Sequence, residues 1–143
     1  MLPAARWYFD ADVMSAARLM AQARPDVTFP GDDGERGKER RRQPPSPVMR
    51  TDVPDVEWIP VVTAASMSIV TRDRAILSRR AELDVVLSSG ARMFTVTSRE
   101  QLDRWGLLEV LVEVARHRGG RSGASPYVYL VTRSGLRKAE PFV

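Results

Sequence analysis

Short apolar segments alternate with helical segments along most of this sequence, and the alternation restricts the fold more than any other feature. Segments typical of buried strands are 6–10 (RWYFD), 26–29, 67–71 (MSIVT), 91–96 (ARMFTV) and 126–132 (PYVYLVT). Helical spacing predicts helices up to about residue 23, from residue 54, over 75–89, and from residue 98 to about 119. The pattern predicts a single α/β domain with a mainly parallel central sheet covered by helices on both faces.

One segment, residues 33–50, interrupts this alternation. It contains the charged run ERGKERRR and three prolines, and no apolar periodicity crosses it. Long loops of this kind in a compact domain are often functional or disordered. We predict a mobile surface loop at 33–50. Its basic run Arg40–Arg42 is either a solvated face or a contact to a nucleic-acid backbone.

The composition limits the chemistry that the chain can carry. There is no cysteine and only one histidine, which excludes thiolate sites and His-rich zinc sites. Any catalytic metal must therefore bind to oxygen ligands, which favours Mg²⁺ or Mn²⁺. All but two of the 22 basic residues are arginine, a side chain that suits phosphate groups, although a genome-wide arginine bias would give the same count.

The distribution of apolar residues predicts where the protein resides. No stretch approaches the roughly 18 to 20 apolar residues that a membrane span needs, and the beginning of the sequence does not resemble a signal peptide. We therefore expect a cytoplasmic protein without membrane association.

Several aspartates fall where the predicted sheet would bring them together. Asp10 and Asp73 each follow a predicted strand, and Asp55, at a predicted helix start, can reach the same edge. Asp12 is either a further ligand or a helix cap. Glu57 is a weaker candidate ligand because it lies about 200° around the helix from Asp55.

A cluster of carboxylates is unfavourable unless a cation offsets the charge. Two unit charges about 4 Å apart repel by roughly 1 kcal/mol in water and by about 4 kcal/mol at an effective dielectric constant near 20. For any single aspartate, a helix cap or a surface ion pair is the simpler explanation. The convergence of Asp10, Asp55 and Asp73 at one edge instead favours a metal site.

Five parts of the sequence resemble bacterial PIN-like proteins, the broad group that includes VapC-type toxins. They are FDAD at 9–12 with the helix that follows it, PGD at 30–32, PDVEW at 54–58, and VTRDR at 70–74 together with the tail YVYLVTRSGLR at 127–137. The similarity covers nearly the whole chain. It implies a PIN-like three-layer α/β/α sandwich over residues 1–143.

The resemblance also implies a function and assigns roles to residues. It implies an endoribonuclease that uses Mg²⁺ or Mn²⁺, with Asp10 as the first acid, Asp55 or Glu57 as the middle acid and Asp73 as the late acid. RNA is then the substrate. Toxin members are restrained by an antitoxin protein, so we expect such a partner, and a homodimer is left open.

The sequence departs from the family in one respect that bears on activity. Typical members of the wider group have a fourth acid a few residues after the late one, whereas here the next acid after Asp73 is Glu82. The alternative hypothesis is therefore a catalytically silent PIN-like module that binds RNA or protein. Arg72 and Arg74 flank Asp73 and would either orient a substrate phosphate or pair with a neighbouring acid.

The tryptophans and the last helix supply expectations about the core. Trp7, Trp58 and Trp105 each lie in an apolar strand or helix pattern, so we predict that all three are buried. On the last helix, we expect Leu108, Leu111, Val112 and Ala115 to face inward.

Overall fold

A computed structural model describes residues 6–97, 103–117 and 126–139. The strands are β1 (Trp7–Phe9), β2 (Val27–Thr28), β3 (Ser68–Thr71), β4 (Arg92–Val96), β5 (Tyr127–Thr132) and β6 (Gly135–Lys138). The α-helices are α1 (Met14–Ala23), α2 (Asp55–Ala64), α3 (Arg80–Ser89) and α4 (Arg104–His117). Within the described ranges, no helix combines the length and the apolar character needed to cross a bilayer.

The strands form one sheet in the order β2-β1-β3-β4-β5-β6. The first five strands in this order are mutually parallel, with Tyr8 opposite Ile69 and Val70 opposite Phe94 in the register. Only β6 runs antiparallel, paired with β5 from Gly135 to Lys138. The predicted mainly parallel α/β sheet is confirmed. Strand β6 was not among the predicted strands; after β5 the chain turns and folds back as a hairpin.

Helices cover both faces of the sheet. Successive residues of a strand point to opposite faces, so each face supplies its own set of apolar side chains to pack against a pair of helices. Trp7, Phe9 and Phe94 pack against α1 and α4. Tyr8, Ile69 and Met93 pack against α2 and α3 on the other face. Two apolar clusters therefore sandwich the sheet. This three-layer arrangement is consistent with an α/β PIN-like fold.

The core face of helix α4 is shifted by about one residue from the prediction. Leu111 is buried as predicted and Leu108 packs partly buried against the core, but Val112 is 45% exposed. Leu107, Val110 and Val114 complete the buried stripe, and the side chain of Ala115 lies outside what the structure describes. Trp105 is 70% exposed, so its predicted burial is wrong, while Trp7 and Trp58 are buried as predicted. Trp105 lies about 200° around the helix from Leu107, which places it away from the sheet.

The helix predicted over 75–89 is divided into two parts. A 3₁₀ turn covers Arg74–Leu77, and α3 begins only at Arg80. Between them, Arg79 has an extended backbone, with φ −91° and ψ 115°. The predicted start of the last helix at Ser98, with its capping partner Gln101, lies outside the described residues.

Residues 33–50 contain no helix or strand, and a buried ion pair attaches their beginning to the sheet. The side chains of Asp32 and Arg36 are 1% and 4% exposed, and their closest atoms are 2.8 Å apart. Arg36 also donates to the Val27 carbonyl at 3.1 Å. A Cβ on Gly34, at φ +91°, would lie 1.9 Å from the Gln43 carbonyl oxygen, so this turn requires glycine. The mobility of 33–50 stays a prediction.

Candidate functional site

Four of the predicted acids lie at the edge of the sheet where β1 and β3 end. Asp10 directly follows β1, and Asp12 lies in the 3₁₀ turn Ala11–Val13 that comes next. Asp73 follows β3 by two residues, and Asp55 is the first residue of α2. Because β1 and β3 are adjacent parallel strands, their carboxyl ends meet at the same edge.

Thr71, the last residue of β3, connects the first two acids. Its hydroxyl oxygen is 3.1 Å from Asp10 Oδ2 and 3.1 Å from Asp12 Oδ2. Each carboxylate also accepts a backbone hydrogen bond. Ala11 N–H donates to Asp10 at 2.7 Å, and Arg72 N–H donates to Asp12 at 3.0 Å. A hydroxyl has only one proton to donate, so Thr71 orients the two carboxylates without neutralising them.

Asp55 is held from the core side of the site. The indole N–H of Trp58 donates to Asp55 Oδ1 at 2.8 Å. Trp58 is buried, and its ring packs against Tyr8 with the centroids 5.1 Å apart. The position of Asp55 is therefore fixed by a side chain that the sheet and α2 themselves immobilise.

A single arginine joins Asp55 to Asp73. Asp73 Oδ1 accepts from Ala75 N–H at 3.0 Å, and its other oxygen pairs with the guanidinium of Arg79. The same guanidinium lies 3.8 Å from Asp55 Oδ2 and 3.2 Å from Glu82 Oε1. The site thus consists of two acidic pairs, one bridged by a hydroxyl and the other by a guanidinium.

The first pair carries uncompensated charge. Desolvation, together with the charges of Asp12 and Asp55, raises the pKa of Asp10 to about 6. Desolvation also raises the pKa of Asp12, despite the hydrogen bonds from Arg72 N–H and Thr71. Burial beneath the site and the charges of Asp10 and Asp55 raise the pKa of Tyr8 in the same way. The edge therefore has a negative potential suited to a cation.

The raised pKa of Asp10 predicts how stability depends on pH. Below about pH 4, Asp10 is protonated in both the folded and unfolded chains; between about pH 4 and pH 6, only the unfolded chain releases the proton. The free energy of unfolding in EDTA should therefore fall by about 2 to 3 kcal/mol as the pH rises through this range. Asp10→Asn should remove that fall and stabilise the metal-free protein at pH 7.

Urea unfolding at several pH values measures this effect. Asp84→Asn is a matched control because Asp84 forms only an exposed pair with Arg80, at 3.9 Å. Equal pH dependence of the wild type and Asp10→Asn would show that Asp10 titrates normally.

The carboxylate oxygens are suitable ligands for Mg²⁺ or Mn²⁺, but in the metal-free structure the described acids are not arranged around a common point. All four acids offer carboxylate oxygens, the ligands that hard cations prefer. Over residues 6–97, 103–117 and 126–139, however, no three acidic, histidine or cysteine side chains are grouped closely enough to hold an ion. The predicted meeting of the acids at one edge is observed, but their convergence on one point is not. Arg79 lies between Asp55 and Asp73, where a cation would be needed.

The other predicted site residues have different environments. Glu57 is exposed, and no hydrogen bond or ion pair within the described residues joins it to the four acids. Arg72 forms no ion pair in the same part of the chain, although its charge lowers the pKa of Asp12. The Arg74 side chain lies outside what the structure describes. Arg72 is thus placed beside Asp12, and its guanidinium has no ion-pair partner among the described residues.

Sequence reasoning assigned no role to Thr71, Arg79 or Trp58 at this site. Thr71 belongs to the VTRDR string, so the string itself was the available signal. Arg79 was assigned to a helix interior, and the break before α3 that turns it toward Asp73 has no proline or glycine to mark it. Glu82 was noted only as the next acid in the sequence; the structure brings it to the site through Arg79.

A protein-family model matches the middle of the chain. Residues 39–98 match the family model of a PIN like domain. The match supports a PIN-like domain and covers less than half of the chain. It includes Asp55, Asp73, Arg79 and Glu82, whereas Asp10 and Asp12 lie outside it. No curated relative and no solved structure matches the chain.

Proposed function

We propose that this chain is a Mg²⁺- or Mn²⁺-dependent endoribonuclease whose catalytic acids are Asp10, Asp55 and Asp73. The observation that carries the proposal is the excess of negative charge at one edge of a PIN-like sheet. Four carboxylates lie along that edge, and among the described side chains, which do not include that of Arg74, one arginine pairs with two of them. Such repulsion does not stabilise a fold, so the arrangement favours a bound cation.

Thr71 would keep Asp10 oriented toward the cation. The Thr71 hydroxyl oxygen lies 3.1 Å from Asp10 Oδ2 and 3.1 Å from Asp12 Oδ2, so it constrains the carboxylates of both acids. In the metal-free chain the pKa of Asp10 is about 6, so at neutral pH the carboxylate is mostly ionised and able to bind the ion.

The four acids would bind the cation, and Arg72 would bind the substrate. Asp10, Asp12, Asp55 and Asp73 would hold the divalent ion, which supplies Lewis-acid polarisation of the phosphodiester when bound. Arg72, without an ion pair in the described part of the chain, would bind a phosphate oxygen beside Asp12. The arginine-rich composition favours RNA as the polyanionic substrate.

The direct test is incubation of the purified full chain with single-stranded RNA and Mg²⁺ or Mn²⁺. We expect internal cleavage with either ion and none in EDTA. Cleavage that persists in EDTA would indicate a contaminating nuclease. Absence of cleavage with both ions would count against the proposal.

We further propose that the protein is the toxin of a toxin–antitoxin pair, on the basis of the resemblance to VapC-type proteins. Expression in a bacterial host is then expected to slow growth, and Asp10→Ala is expected to relieve the effect. An antitoxin would cover the acidic edge, with basic side chains that compete for the carboxylates. Toxicity that persists in Asp10→Ala would instead point to aggregation or non-specific binding.

A second candidate is a catalytically silent PIN-like module that binds RNA or protein. The observation that favours it is the pairing of Arg79 with both Asp55 and Asp73, which partly neutralises the acids without a metal. A protein that binds RNA equally well in EDTA and in Mg²⁺, and cleaves it in neither, would support this second function.

A further inference from the structure

The guanidinium of Arg79 lies close to three carboxylates, those of Asp55, Asp73 and Glu82. Its guanidinium pairs with Asp73 through Nη2, lies 3.8 Å from Asp55, and contacts Glu82 through Nε at 3.2 Å. Among the described side chains, which do not include that of Arg74, no other cation lies within 4.0 Å of Asp55 or Asp73. One guanidinium therefore lies beside the carboxylate oxygens that a divalent ion would need.

Arg79 lies at the surface, between a 3₁₀ turn and helix α3. Arg79 precedes the first turn of α3, in an extended conformation that follows a 3₁₀ turn. Its side chain is 45% exposed, so the charge can move into water without being buried. Glu82, one turn further along α3 and only 18% exposed, offers a second carboxylate that would keep the guanidinium paired after it leaves Asp73.

We propose that Arg79 is an internal counter-cation that competes with the divalent metal for Asp55 and Asp73. This inference rests on the proposed metal-dependent function. In the metal-free chain, the guanidinium offsets the repulsion between the two acids and draws them toward itself. Metal loading requires the guanidinium to withdraw toward Glu82, which frees both carboxylates for the ion. In the metal-free protein, ions that bind too weakly to displace the guanidinium are thereby excluded from Asp55 and Asp73.

The direction in which metal affinity changes when Arg79 is removed distinguishes a competitor from a supporting residue. A residue that only supports the site would weaken metal binding when removed, whereas a competitor would strengthen it. If the metal-competent arrangement is populated about a tenth of the time, removal of the competitor tightens the apparent dissociation constant about tenfold. We therefore expect Arg79→Gln to bind Mn²⁺ about tenfold more tightly than the wild type.

The matched control is Arg80→Gln. Arg80 is the neighbouring residue and loses the same charge, but its 92% exposed side chain pairs only weakly with Asp84, at 3.9 Å. This variant measures the general electrostatic effect of one positive charge fewer, and we expect less than about a twofold change. Arg79→Lys keeps the charge but loses the planar fork, so its affinity should lie between those of the wild type and Arg79→Gln.

The experiment is a calorimetric titration of the EDTA-stripped full chain with Mn²⁺ alone, after thermal unfolding has shown that each variant folds. Tighter binding by Arg79→Gln than by Arg80→Gln supports the proposal. Equal or weaker binding by Arg79→Gln, with saturable binding by the wild type, overturns it while the proposed function stands. Absence of saturable Mn²⁺ binding in all variants overturns both.

Discussion

Asp73→Asn is expected to reduce metal-dependent RNA cleavage by about 10²-fold or more while the chain stays folded. The turn after β3 fixes Asp73 through the hydrogen bond from Ala75 N–H to its carboxylate. Under the proposed function, loss of its charge would remove a ligand of the divalent ion, whose polarisation of the phosphodiester contributes several kcal/mol to transition-state stabilisation. Each factor of ten in rate corresponds to about 1.4 kcal/mol. Single-turnover cleavage of a labelled RNA at saturating Mn²⁺ measures the effect.

Asp84→Asn, which makes the same chemical change in an exposed pair on α3, is the control and should cleave at the wild-type rate. Wild-type cleavage by Asp73→Asn, with an unchanged requirement for metal, would remove Asp73 from the site. The two site variants should also differ in stability. Asp10→Asn relieves repulsion, whereas Asp73→Asn breaks an ion pair with Arg79 and should not stabilise the metal-free protein.

Arg36→Ala is expected to lower the free energy of unfolding by about 3 to 5 kcal/mol, the largest effect on stability that we predict. Burial alone would raise the pKa of Asp32, but hydrogen bonds from Arg36, Gly34 and Thr28 outweigh it, so the pKa is lowered overall. Removal of the guanidinium would leave a buried carboxylate without its cation and would also free the Val27 carbonyl.

Arg42→Ala is the matched control for that prediction. Arg42 belongs to the same segment and also pairs with an acid, Glu35, but both side chains are more than half exposed. Exposed pairs of this kind contribute about 0 to 1 kcal/mol. Urea unfolding of both variants measures the contrast. Equal, small losses would show that the buried pair does not hold residues 33–50 to the sheet.

The arrangement of the sheet was largely predictable from the sequence, because buried parallel strands leave continuous apolar runs. The strands at 67–71 and 91–96 were predicted to within one residue of β3 and β4. The hairpin strand β6 was missed because GLRK is short, half polar and begins with a turn glycine. An edge strand of this kind is stabilised by its pairing with β5, which the local pattern does not reveal.

The core face of α4 was predicted about one residue away from its true position. Apolar residues cover more than half of this helix, so their spacing alone does not select one face. Contact with α1 and the sheet selects the stripe that contains Leu107, Leu111 and Val114. Trp105 is then left outside, although its size and its apolar neighbours suggested burial.

The acids of the candidate site were predictable, but their partners were not. Parallel topology is enough to bring Asp10 and Asp73 to one edge. The role of Arg79 depends on the interruption between the 3₁₀ turn and α3, which turns the side chain toward residues that precede it by 6 and 24 positions. No spacing rule describes such a contact, because its geometry depends on how α2 and α3 pack together.

The hydrogen bond from Trp58 to Asp55 provides a spectroscopic signal from the site. The chain has three tryptophans, so a ¹⁵N-labelled sample has three indole N–H resonances. In the structure, the indole of Trp58 donates to a carboxylate of the acidic edge, whereas Trp105 is largely exposed and Trp7 packs on the opposite face of the sheet. The chemical shift of the Trp58 indole proton therefore depends directly on what Asp55 binds, and it can report occupancy of the site without any added label.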